Sequence, residues 1–145
     1  GEPDEGNKNS ITLNQIKNWE KKKIVKWFKF SNEINVLFKN SNIIVYPSYY
    51  GEGLPKVLIE AASCGRAIIT TNHPGCRDAI INNKTGLLVS VRNTIKLVQC
   101  IEFLAKNDNI RNKIGYEGRK LAEKYFSVNK VVREHINLYK KILEK

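Results

Sequence analysis

Asn42-Ile43-Ile44-Val45-Tyr46-Pro47-Ser48-Tyr49-Tyr50-Gly51-Glu52-Gly53-Leu54-Pro55-Lys56-Val57-Leu58-Ile59-Glu60-Ala61-Ala62-Ser63-Cys64-Gly65-Arg66-Ala67-Ile68-Ile69-Thr70-Thr71 is the stretch whose reading decides the fold. Asn42–Pro47 is a short apolar run rich in β-branched residues and ended by a proline, the pattern of a buried strand. The polar, glycine-containing Ser48–Leu54 then reads as a loop. Pro55 suits the first turn of a helix running to Ser63, and Gly65 suits its stop. Ala67–Thr71 is a second buried strand. A strand, a loop, a helix and a strand in that order predict a parallel α/β sheet. In such sheets ligands bind beyond the C-terminal ends of the strands. Ser48–Leu54 and Asn72–Cys76 each follow a buried strand, so both loops are expected on one rim.

The flanks extend the pattern. Upstream, Gly1–Ser10 is polar and reads as a loop. Thr12 and Gln15 have the spacing of a capping box, with Ile11, Leu13, Ile16 and Trp19 as the apolar positions of a helix. Ile24–Phe30, rich in β-branched and aromatic residues, is expected to be a strand, and Ile34–Lys39 a short helix. Downstream, a turn at His73–Gly75 leads to a short helix at Arg77–Ile81. Asn82–Gly86 is a turn and Leu87–Val91 a strand. Three helices are expected to follow, Thr94–Ala105, Asn109–Tyr125 and Val128–Leu143, the last with Ser127 as its N-cap. The last helix carries more apolar residues (Val128, Val131, Val132, Ile136, Tyr139, Ile142) than one buried face requires, which predicts an uncovered sticky stripe unless a partner surface meets it. No internal repeat interrupts the chain.

The loop before Pro55 has the makings of a diphosphate site. A helix start offers unpaired N–H groups and the positive end of a dipole. Gly53 allows close approach of a ligand to the backbone. Pro55 itself has no N–H to donate. Glu52 lies in the loop, and Glu60 is about 7 Å further along the helix axis than Pro55 at 1.5 Å per residue. Two carboxylates so placed can accept hydrogen bonds from different hydroxyl-bearing parts of one ligand, such as a ribose and a hexose. On spacing alone the plainer reading stands beside it: a solvated loop acid and an ordinary helix surface position. Glu60 sits in the apolar run Val57–Ala62, where a charge calls for a reason.

A chain of 145 residues with 41% hydrophobic residues suits one soluble domain with a real core. No apolar run reaches the roughly 20 residues that span a bilayer, and no signal peptide is evident. The three cysteines, Cys64, Cys76 and Cys100, have no metal-type spacing and fit a reducing cytoplasm as packing residues. The net charge of +11 favours an anionic partner: a nucleotide, a membrane surface or a nucleic acid. Lys21, Lys22, Lys23, Lys26 and Lys29 surround Trp27 and Phe28. No helix-turn-helix, zinc module or RNP pattern accompanies them, so a solvated face is the expectation and nucleic acid is not an expected partner. His73 reads as a turn residue and His135 as a surface or packing residue. Arg77 reads as a solvated arginine near Asp78.

Glu52 and Glu60, with seven residues between them in the segment from Pro47 to Thr71, resemble the signature of the family 4 retaining glycosyltransferases. These have the GT-B architecture, two Rossmann-like lobes with the active site in the cleft. The likeness covers nearly the whole chain. Residues 1–7 resemble the loop after the second strand of the C-terminal lobe, and 27–48 the base-binding stretch and the approach to the motif. Residues 72–89 resemble the segment after the motif, and 125–143 the final helix, which crosses back to the N-terminal lobe. The wording around Glu52–Pro55 and His73–Ile80 is most similar to enzymes that build bacterial surface polysaccharide or lipid-linked oligosaccharide.

The resemblance implies an α/β fold class, a Rossmann-like parallel sheet flanked by helices, forming one incomplete lobe of a GT-B enzyme. It implies that residues 1–145 lack the first strand–helix unit, which carries the family's phosphate-clamping Arg and Lys, and the N-terminal acceptor lobe. The piece alone is then expected to have no transferase activity. It assigns Glu52 the catalytic role of orienting the donor hexose. It gives Glu60 the ribose hydroxyls, and Gly53, Leu54, Pro55, Lys56 and Val57 the sugar and phosphates. Phe28, Lys29 and Phe30 fall beside the nucleobase, with Lys29 where the family usually has glycine. The implied substrate is a nucleotide sugar, with UDP the family's habit, used without a metal or other cofactor. The implied acceptor is a glycan or polyprenyl-linked molecule, and the implied place is the cytoplasm, with peripheral contact at an anionic inner membrane face. A truncated, non-catalytic remnant and a basic nucleic-acid-binding module are the rival readings.

Overall fold

Three strands, β1 (Ile43–Tyr46), β2 (Ala67–Thr71) and β3 (Leu87–Val89), form one sheet in the order β1-β2-β3. Both pairings are parallel, with Ile43 opposite Ala67 and Ile69 opposite Leu87. The computed structural model of the chain describes residues 1–4, 6–7 and 9–144; Glu5 and Lys8, within the expected N-terminal loop, and Lys145 lie outside them. The chain forms two compact units, Gly1–Ile34 and Asn35–Lys145, and the sheet belongs to the second.

β2 is the central strand and every one of its residues is buried. Its alternation splits the core in two, because successive side chains point to opposite faces. Ile68 packs with Phe38 of α2 (Ile34–Lys39), with Leu58, Ala61 and Ala62 of α3 (Lys56–Ser63), and with Ala79 and Ile80. Ala67 and Ile69 pack on the other side with Leu87, Val89, Cys100 and Leu104 of α4 (Thr94–Lys106), and Ile114 of α5 (Asp108–Tyr125). Leu58, Ile68, Ile69 and Leu104 are each completely buried, worth about 1.5–3 kcal/mol apiece against exposure. Gly65 ends α3 at φ +67, the left-handed conformation that favours glycine at a helix stop.

α5 lies against the N-terminal end of β2, the end away from the Ser48–Leu54 loop. A Cβ on Gly115 would strike the Gly65 carbonyl and come within 3.3 Å of the Ala67 nitrogen, and one on Gly118 would come within 3.3 Å of the Thr85 carbonyl oxygen. α6 (Val128–Leu143) follows Ser127, which stands at the N-cap without a side-chain capping bond. No residue of α6 is buried, and Val128, Leu138, Tyr139, Ile142 and Leu143 are more than half exposed.

The first unit holds α1 (Leu13–Lys21), capped reciprocally by Thr12 and Gln15 as its sequence predicts. The strand expected at Ile24–Phe30 does not form. Strand backbone needs a neighbour to satisfy its N–H and C=O groups, and no strand lies beside this segment among the described residues. Its backbone is held locally instead. The Trp27 N–H donates to the Glu20 carboxylate at 2.8 Å, the Trp27 indole to the Gly1 carbonyl at 2.8 Å, and the Gly1 amine to the Phe28 carbonyl at 2.8 Å. Two further boundaries differ. The short helix after Cys76 is a single 3-10 turn, Arg77–Ala79, and the third strand stops at Val89 rather than Val91.

Candidate functional site

Three hydroxyl groups fix the loop that carries Glu52. Thr70 and Thr71 close β2, and their hydroxyls donate to the Tyr46 carbonyl at 2.7 Å and to the Ser48 carbonyl. Both threonines are buried, so these bonds satisfy groups that would otherwise be costly to bury. At the end of β1 the Tyr46 hydroxyl donates to a Glu52 carboxylate oxygen at 3.0 Å. Burial first, and then this carboxylate, hold the Tyr46 phenol above its usual value of 10.0.

The second rim loop presses on the first through a glycine. Gly75 sits at φ +82, and a Cβ there would lie 2.6 Å from the Glu52 carbonyl oxygen and closer still to that of Gly53. The Gly75 N–H donates to the Asp78 carboxylate at 3.0 Å, so Asp78 holds this turn. Arg77 is exposed beside it. His73 bonds the neighbouring Pro74 carbonyl and His135 the Val131 carbonyl, as turn and helix-surface residues do.

The helix start itself is open. Pro55 is buried at the N-cap of α3, one position before the helix it was expected to begin. Leu58 N–H bonds the Pro55 carbonyl at 3.1 Å. The earlier N–H groups of Lys56 and Val57 precede the first intrahelical donor and face outward with the positive dipole end. Nothing lies within 4 Å of a Cβ built on Gly53, so its backbone is approachable. Leu54 is exposed beside it.

Glu60 corrects one expectation. Its neighbours are apolar, but its side chain retains 36% exposure and pairs with Lys56 at 3.7 Å. Water therefore meets much of its charge, so its apolar neighbours in sequence no longer demand a reason for a carboxylate here. The ion pair itself adds little. A Lys-then-Glu pair is the weaker order of an i,i+4 pair, and an exposed one contributes only about 0.3–0.5 kcal/mol.

The structure thus brings Glu52, Gly53, Leu54, Pro55, Lys56, Val57 and Glu60 to one loop–helix junction on the sheet's C-terminal rim. Phe28, Lys29 and Phe30 lie in the first unit. Phe28 and Phe30 are exposed, and Lys26 and Lys29 sit over the rings of Phe28 and Trp27 at 5.0 and 5.7 Å. Sequence reading missed Tyr46, Thr70, Thr71 and Gly75 as supports of the site. Two signals for them existed: hydroxyl residues ending an otherwise apolar strand, and a glycine in the facing turn. Among the described residues no cluster of His, Cys, Asp and Glu is placed to hold a metal ion, and no helix is long and apolar enough to cross a membrane.

A parallel α/β sheet flanked by helices, with a glycine-containing loop and a helix start on its C-terminal rim, defines a Rossmann-like class of domain. Within that class, residues 1–121 match the family described as Glycosyl transferases group 1, and the chain belongs to it. It is 33% identical over 107 residues, 74% of its length, to the capsular polysaccharide biosynthesis glycosyltransferase CapM of Staphylococcus aureus. It is 30% identical over 113 residues, 78% of its length, to the N,N'-diacetylbacillosaminyl-diphospho-undecaprenol alpha-1,3-N-acetylgalactosaminyltransferase of Campylobacter jejuni. The matched regions span 28% and 30% of those two relatives. Anabaena Alr3699/HepE, solved in complex with UDP, shares the fold with a TM-score of 0.82 at 18% identity, over 88% of this chain and 35% of that one. These likenesses make the sheet one lobe of the Rossmann-like GT-B architecture.

Proposed function

We propose that the chain is the donor-binding lobe of a retaining glycosyltransferase that moves a hexosyl group from a nucleotide sugar to a polysaccharide or lipid-linked acceptor. The observation that carries this reading is the junction at Gly53–Glu60: an approachable glycine, an open helix start and a carboxylate that keeps 36% exposure and so can be reached by a ligand. Glu60 takes the ribose hydroxyls. The N–H groups of Lys56 and Val57, with the Lys56 ammonium, face the diphosphate. Glu52, steadied by Tyr46, orients the hexose. Phe28, Lys29 and Phe30 meet the base. The leaving diphosphate is stabilised by these fixed donors, a term that is large because they need no rearrangement in the transition state. No metal or other cofactor enters the reading. UDP is the assigned nucleotide, with the UDP complex of HepE in support, and CapM and the Campylobacter enzyme support acceptors of the polysaccharide or undecaprenol-linked kind.

In this reading an acceptor lobe outside residues 1–145 completes the cleft, and a strand–helix unit before Gly1 supplies further cations for the diphosphate. The protein works in the cytoplasm. With a lipid-linked acceptor, Lys21–Lys23 and Lys26 meet the anionic inner membrane face. The test is a titration of the chain with UDP-hexoses by ligand-observed NMR, beside Glu60→Ala. The reading expects binding that the variant loses while keeping its fold, and no steady transfer by the chain alone. A folded chain indifferent to every UDP-hexose, or a variant that binds as well as the parent, would sink it.

A further inference from the structure

Arg92 is a cation that no acid claims: among the described residues none of the ion pairs includes it. Its guanidinium instead lies over the Tyr49 ring, 5.0 Å from the centroid, and Tyr49 stacks on Tyr50 at 4.7 Å with a 24° interplanar angle. The guanidinium also hydrogen-bonds the Tyr49 side chain, and with five N–H donors it keeps others with which to grip an oxyanion. The backbone of Arg92 is left-handed, φ +60, a conformation that a long side chain adopts at a cost.

The place is a cavity of about 190 Å³ lined by Pro47, Tyr49, Thr71, Ser90, Arg92 and Thr94 among others, with no carboxylate in its wall. Pro47, Thr71 and Ser90 stand at the C-terminal ends of β1, β2 and β3. The cavity therefore opens on the same rim as Glu52, whose loop also carries Tyr49. It is smaller than the roughly 300 Å³ at which drug-sized ligand pockets begin. It suits one anionic sugar unit, with Ser90 and Thr94 as hydroxyl partners, and is too small for a nucleotide.

We propose that Arg92, held on Tyr49, forms an oxyanion subsite for a phosphate- or carboxylate-bearing sugar of the acceptor, beside the donor junction; its acceptor role rests on the glycosyl-transfer reading above. Backbone amide NMR of the chain tests it, with UDP present in excess to fill the donor junction. The probes are inorganic phosphate, glucuronate and glucose. Phosphate or glucuronate is expected to move the amides of Tyr49 and Ser90–Thr94, and glucose is not. Whichever anion acts names the source. Arg92→Gln is expected to weaken the effect by about tenfold or more, as loss of a charge-assisted pair does. Arg92→Gly is expected to abolish it while melting no lower than the parent, because glycine accepts the left-handed backbone. Amides of Ser90–Thr94 that ignore both anions, or that respond equally in Arg92→Gln, overturn the subsite and leave a surface cation–π pair. Anion shifts there without any UDP shift at Gly53–Glu60 uphold the subsite and overturn its acceptor role.

Discussion

Glu52 is held at both ends of its residue, by the Tyr46 hydroxyl on its carboxylate and by Gly75 against its carbonyl. The two supports make separable predictions. Tyr46→Phe removes one partly exposed hydrogen bond, so it should cost no more than about 1 kcal/mol in a denaturant melt. The same variant has a pH signature. Folded Tyr46 keeps its proton to a higher pH than unfolded Tyr46, whose value is 10.0. The stabilisation is therefore fully present below that value and lost as pH rises through the higher folded one. As pH rises through 10.0 and on through the higher folded value, the parent should lose more stability than Tyr46→Phe. Gly75→Ala drives a methyl group into the Glu52 and Gly53 carbonyls at a left-handed position. It should cost about 1–3 kcal/mol and displace the loop, seen as lost UDP-hexose binding in a chain that is still folded. The carboxylates stood out in the sequence through their likeness to a family signature, since their spacing alone fitted a solvated loop acid and a helix surface position as well. Tyr46 and Gly75 were not, since each meets the loop only once the strands have paired.

The elements show where local pattern suffices and where it fails. α3 and β2 follow from their apolar runs and the Gly65 stop, and the structure places β2 over the residues its sequence marks. Ile24–Phe30 has strand composition yet forms no strand, because composition specifies a tendency and only a partner edge satisfies the backbone. The fit of α5 to the sheet was equally invisible in its own sequence, where Gly115 and Gly118 look like helix weaknesses. Gly→Ala inside a helix ordinarily adds about 0.8–1 kcal/mol. At Gly115 the added Cβ would overlap the Gly65 carbonyl, so Gly115→Ala should destabilise by about 1–3 kcal/mol. At Gly118 the nearest atom stands at 3.3 Å, and Gly118→Ala should stay within about 1 kcal/mol of the parent. Thermal melts of the two variants side by side check both values.

For the whole molecule, the core of the second unit is complete without α6, none of whose residues is buried. Ending the chain after Ser127 should leave the melting transition nearly unchanged. It should also lower concentration-dependent self-association in sedimentation velocity, because the removed face is apolar and uncovered. A large fall in melting temperature would show that α6 belongs to the core. The sequence foretold this uncovered stripe, since its apolar residues outnumber those that one buried face needs. The rim is where the molecule meets its donor in the proposed function. Amide NMR of the chain titrated with UDP-glucose asks which residues meet the donor. Shifts are expected to concentrate at Gly53, Leu54, Lys56, Val57 and Glu60, with Gly75 following through its contact with the loop. Shifts confined to other parts of the molecule, or none from a folded chain, would contradict the proposed function.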